Sequence, residues 1–122
     1  MNIRAKVRAI YTSNMDELEA HAPPDPERFT VSVRAMVGPA EGDGQESFDI
    51  NVCTPKWLEE QIERETFVLG THRLFVKAYD PPEIRKFITR TIERFSGGTW
   101  KEVAEKISRV AYWEFEGYKP TH

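Results

Sequence analysis

Ser47-Phe-Asp-Ile-Asn-Val-Cys-Thr-Pro-Lys-Trp-Leu58 changes its hydrophobic period in mid-course. Phe48, Ile50 and Val52 alternate with Ser47, Asp49 and Asn51, the period of two of a strand with one buried face. At Thr54-Pro55 the alternation stops. Threonine is a good helix N-cap, and proline at the first helical position lacks only an N–H that would have no partner within the helix. Trp57, Leu58 and Ile62, set among Glu59, Glu60, Glu63 and Arg64, then give one apolar side, so a helix is expected from Pro55 to near Glu65. Phe67, Val68, Leu69 and Gly70 follow it.

Upstream, Phe29, Val31, Val33, Ala35 and Val37 alternate with Thr30, Ser32, Arg34 and Met36 as far as Gly38-Pro39. Ala40 to Gln45, with Gly42, Asp43 and Gly44, joins that strand to the next as a hairpin with a wide acidic loop. Ile3, Ala5, Val7, Ala9 and Tyr11 alternate with Arg4, Lys6 and Arg8, giving a first strand over residues 3–11 whose basic side suits edge protection. Residues 12–28, with the Pro23-Pro24-Asp25-Pro26 run, read as a surface excursion. Downstream, Arg73 to Tyr79 reads as a strand. Asp80-Pro81 repeats the capped helix start, and Ile84, Phe87, Ile88, Thr91, Ile92 and Phe95 recur at helical spacing until Ser96-Gly97-Gly98. Thr99-Trp-Lys-Glu102 has the form of a capping box, opening a third helix to about Ser108, and Val110 to Phe115 reads as a last strand, with residues 117–122 frayed. The order β-β-β-α-β-α-α-β predicts an α+β fold: one domain over residues 1–122, a mainly antiparallel sheet with helices packed on one face.

The 122 residues fit one core, and 39% hydrophobic with 30% charged residues is a globular composition. Neither a spanning apolar run nor a signal-peptide pattern is present in the sequence, so no leader and no membrane association are expected. The lone Cys53 excludes an internal disulfide and a Cys-rich zinc site, and the cytoplasm is the expected compartment. Charge is uneven: +3 over residues 1–12, −7 over 13–53 and +1 over 54–122, together the formal −3. That acidic middle disfavours nucleic acid as a partner. His21, His72 and His122 are too scattered for a recognisable metal site, and the chain carries neither a phosphate-cradling glycine loop nor a hydrolase elbow. Cys53 reads as a small apolar residue at the sheet edge, and Asp43 with Glu46, or Glu114 with Glu116, as solvated acids. No catalytic residue, metal or cofactor is therefore expected. Trp57 and Trp100 read as core anchors that fix helix entry angles.

Glu46-Ser-Phe-Asp-Ile-Asn-Val-Cys-Thr-Pro-Lys-Trp-Leu58, Thr99-Trp-Lys-Glu-Val-Ala-Glu-Lys-Ile-Ser-Arg109 and Tyr112-Trp-Glu-Phe-Glu116 resemble the conserved blocks of the immunity protein 8 family, and the Val37-Gly38-Pro39 turn and Phe67 to Tyr79 stand in register between them. The Cys-Thr-Pro-x-Trp-Leu string is the most specific of these. The resemblance implies a small α+β cytoplasmic antidote of a bacterial polymorphic-toxin or contact-dependent inhibition system, one that binds and neutralises a secreted toxin domain. Many such toxins are nucleases with basic clefts, so Asp16, Glu17, Glu41, Asp43, Glu46 and Asp49 are the expected partner-binding residues. Two other classes stay open on the residues alone: a general adaptor or dimerising module, and a small enzyme acting through Cys53 or the carboxylates. The motifs leave the toxin and the oligomeric state unspecified.

Overall fold

A computed structural model describes residues 2–114. The chain runs β1 (Ile3–Thr12), a single 3₁₀ turn (Leu18–Ala20), β2 (Thr30–Pro39), β3 (Glu46–Cys53), α1 (Pro55–Glu65), β4 (Arg73–Phe75), α2 (Pro81–Glu93), β5 (Ser96–Gly97), α3 (Trp100–Ile107) and β6 (Tyr112–Trp113). The fold is α+β, as expected, with two elements added: the 3₁₀ turn, and β5, where Ser96 and Gly97 after α2 pair with Arg4 and Ile3 at the start of β1.

The sheet order is β4-β3-β2-β1-β5. β1, β2 and β3 form an antiparallel meander, with Val37 opposite Glu46 and Thr30 opposite Cys53. β4 lies parallel to β3 along Asn51 to Cys53, while β6 lies antiparallel to it at Phe48 and Asp49. The two short strands therefore share the edge of β3 that β2 leaves open.

Period two along β2 and β3 buries Val31, Val33, Ala35, Val37, Phe48, Ile50 and Val52 on one face. Ile84, Ile88 and Ile92 of α2 and Val103, Ala104 and Ile107 of α3 cover that face. Isoleucines four apart stack on one side of a helix, and each fully buried one contributes about 1.5–3 kcal/mol of transfer free energy. In β1 the alternation breaks at a bulge between Val7 and Ala9. Ile10 and Thr12 face inward in place of the expected Ala9 and Tyr11, because one extra residue reverses the parity of all that follows. The 12–28 excursion is tied down rather than free. Leu18 is fully buried, and its carbonyl accepts the Tyr79 hydroxyl at 2.6 Å.

Tyr79 also explains why β4 stops at Phe75 instead of continuing to Tyr79. After the Val76 N–H reaches the Cys53 carbonyl, the Tyr79 N–H bonds to the carbonyl of Pro26, and its ring meets Phe29 edge-on at 5.2 Å, drawing the chain off the sheet. Of the expected last strand, Tyr112–Trp113 forms; Phe115 and residues 117–122 lie outside the described residues. Helix starts follow their caps. Thr54 Oγ1 accepts the N–H groups of Phe29 at 3.2 Å and Trp57 at 3.4 Å, and Thr99 Oγ1 accepts that of Glu102 at 3.1 Å. The return arm of the capping box goes to the Gly98 N–H, at 2.7 Å, not to Thr99.

Two readings of single residues change. Cys53 is fully buried at the end of a central strand, not at the sheet edge, and burial pushes its thiol pKa up, against a smaller opposing effect of Arg73. Trp57 is half-buried on a helix with no buried residue, its indole lying 5.3 Å beneath the Arg73 guanidinium. Of the basic residues on β1, Lys6 stands 3.8 Å from Glu93 of α2. Arg8 instead holds the β2–β3 loop through the carbonyls of Pro39 and Gly42, at 2.6 and 2.9 Å.

Candidate partner-binding surfaces

Asp16 and Glu17 follow the end of β1, whereas Glu41 and Asp43 lie in the loop that follows Pro39, opposite Ala5 near the start of β1. A ten-residue strand separates them, roughly 30 Å at about 3.3 Å per residue. The six acids thus form two end clusters with a pair between, not a single patch. Glu41 and Asp43 are exposed, and among the described residues neither side chain has a partner. Asp16 is exposed as well. Glu17 reaches Arg85 Nη2 at 3.1 Å while remaining 75% exposed, and Glu19 takes the same guanidinium through both carboxylate oxygens, at 2.8 and 3.1 Å. The Arg85 hydrogen bonds hold the Glu19 carboxyl below its usual value.

The remaining two acids bond within the fold. Asp49 accepts the Arg34 guanidinium in a two-point pair, at 2.9 and 3.0 Å, across β2 and β3, an arrangement that keeps Arg34 firmly protonated. Glu46 lies at the start of β3 on the core side, and its carboxylate accepts the indole N–H of Trp100 and, at 3.3 Å, that of Trp113. It joins α3 and β6 to the sheet. Nothing in the sequence near Glu46 marks this, since its two donors stand 54 and 67 residues away.

A surface not foreseen lies at the other side of β3. Thr66, which ends α1, and His72, which precedes β4, both hold positive φ, at 69° and 58°. Between them Phe67 is 85% exposed and Leu69 81% exposed, with Val68 half-buried between the two. The Leu69 carbonyl accepts Arg73 Nε at 2.7 Å, and His72 Nε2 lies 2.8 Å from the Ser108 carbonyl. Ile62, expected on the buried side of α1, is 42% exposed beside Glu59 and Glu63. A usable signal was present: three apolar residues between a helix end and a glycine, in a connection with no alternation that would bury them.

Among the described residues no group of three or more His, Cys, Asp or Glu side chains is placed to hold a metal ion, and no helix is long and apolar enough to cross a membrane.

A sequence model of the family described as Immunity protein 8 matches residues 5–118. The chain belongs to this family. No curated protein and no solved structure matches it. In this Immunity protein 8 member the motif-bearing positions are chiefly architectural: Thr54 caps α1, Cys53 is buried, Trp100 and Trp113 meet on Glu46, and Thr99 caps α3. The most exposed side chains named above, Phe67 and Leu69, lie outside those blocks.

Proposed function

We propose that the protein is the cytoplasmic antidote of a bacterial polymorphic-toxin or contact-dependent inhibition system, binding a cognate toxin domain stoichiometrically and without catalysis. Membership of the Immunity protein 8 family over residues 5–118 carries this reading. A rigid α+β scaffold with acids at both ends of its sheet suits capture of a basic toxin such as a nuclease, because acids on a rim raise the encounter rate with a basic face. In this reading Glu41 and Asp43 at one end, and Asp16 and Glu17 at the other, meet the toxin directly. Glu46 and Asp49 contribute by holding α3, β6 and the β2–β3 pair in place.

Co-expression with the toxin domain encoded beside the gene tests the reading. Growth rescue, with full inhibition of the purified toxin reached at one equivalent, is expected. Absence of rescue overturns the proposal, and full inhibition at a small fraction of an equivalent overturns its stoichiometric part. Reversing Asp16, Glu17, Glu41 and Asp43 to lysine should slow association and flatten its dependence on salt. Unchanged rates would remove these acids from the interface.

A further inference from the structure

We infer that the α1–β4 connection is the anchor by which this protein holds its toxin, and that the toxin face it fits is an apolar socket ringed by lysine or arginine. The inference rests on the antidote reading above and assigns it a surface.

Phe67 and Leu69 are the two most exposed large apolar side chains among the described residues, at 85% and 81%. A folded domain does not gain stability from leaving a phenylalanine and a leucine in water on one short connection; buried in a partner, each would contribute the transfer free energy of a large apolar side chain. Their loop is also fixed before any partner arrives. Arg73, stacked on Trp57, holds the Leu69 carbonyl, and His72 stands against the Ser108 carbonyl and 6.4 Å from the ring of Tyr112. Thr66 and His72 bracket the loop at positive φ, and for β-branched Thr66 that geometry is strained, so the surrounding contacts impose it. A preformed loop gives up little conformational freedom on binding.

Charge selects the occupant. Glu59 and Glu63 lie one turn apart on α1 with Ile62 between them, and Glu65 follows at the helix end; all are exposed, and none has a side-chain partner among the described residues. Two guanidinium groups lie close by, Arg73 as described and Arg64 with Gln61 Oε1 at 3.0 Å; both bond neutral acceptors and keep their charge, so the three acids exceed the bases by one. An apolar tip beside this excess of carboxylate favours a basic protein surface over an acidic one.

The experiment uses the full chain and the toxin domain whose growth arrest it relieves. Phe67→Ser with Leu69→Ser should raise the dissociation rate about 100-fold. Glu59→Lys with Glu63→Lys should slow association about tenfold and flatten its salt dependence. Met15→Ser, at a side chain 66% exposed elsewhere, should change neither rate. All three variants should melt with the wild type, since each altered side chain lies in solvent. A chain that relieves no toxin sinks the antidote reading and this surface with it. A chain that relieves its toxin, while the Phe67/Leu69 variant binds within about twofold of wild type, overturns this surface alone.

Discussion

Glu46 illustrates how little formal charge says about role. Its carboxylate accepts two indole N–H groups, so it acts on the fold first. Glu46→Ala should cost about 2 kcal/mol in urea denaturation, because hydrogen bonds to a charged acceptor contribute about 1.5–3 kcal/mol and two buried or half-buried donors lose theirs. Glu41→Ala should stay within about 0.5 kcal/mol of wild type, as expected of a surface change with no partner. Equal effects at the two positions would contradict the clamp. Thr54 makes the same point from the polar side: it is fully buried, and its hydroxyl serves both Phe29 and Trp57. Thr54→Ala should therefore cost about 2 kcal/mol, at the high end for an N-cap, and Thr54→Ser should recover most of it.

Among the elements, β1 shows a free edge closed by side chains. Beyond its short pairing with β5, the Val7 N–H donates to Glu93 Oε2 at 2.9 Å and the Ile10 carbonyl accepts Arg85 Nη1 at 2.8 Å. Both partners come from α2, so the helix that covers the core also satisfies strand groups that would otherwise invite another chain. Glu93→Ala should accelerate hydrogen exchange at the Val7 amide and promote self-association at high concentration, with global stability lowered by about 1 kcal/mol. Unchanged exchange at Val7 would show that the carboxylate does not protect it. The same strand marks what was legible. Alternation and capped prolines placed β2, β3, α1 and α2 because those signals are local. The bulge at Val7/Ala9 is not local: whether Ala9 or Ile10 faces the core depends on the register against β2. Two-residue strands such as β5 carry no period at all. For the candidate site, the residues that bear the family's motifs were readable and proved to be architecture, whereas Phe67 and Leu69 are core residues by type: their place between a helix end and a glycine hinted at exposure, and the fold shows how little the described residues cover them.

At the scale of the whole molecule, stability should form a plateau bounded by different groups on each side. Hydrogen bonds from Arg85 and Lys56 hold the Glu19 and Glu27 carboxyls below the ordinary 4.5. Unfolding therefore takes up protons in acid, and what these carboxylates contribute is present above that value and lost as pH falls through their folded ones. Burial raises the Cys53 thiol and the Tyr79 hydroxyl above the ordinary 9.0 and 10.0, so their contribution is present below those values and lost as pH rises through the folded ones. Melting temperature followed against pH should stay flat between, and Cys53→Ala should remove the onset of the alkaline decline. An unaltered decline in that variant would assign it to Tyr79. Thiol alkylation of the native chain should be slow and should speed up with unfolding, since Cys53 is fully buried. The placement of β6 bears on how the molecule is made. Phe48 and Asp49 wait for Tyr112 and Trp113 to fill their side of β3, so a nascent chain exposes that ribbon of backbone until those two residues have left the ribosome. Protein cut short before Tyr112 should accumulate in inclusion bodies rather than circulate as a smaller, working version of the whole.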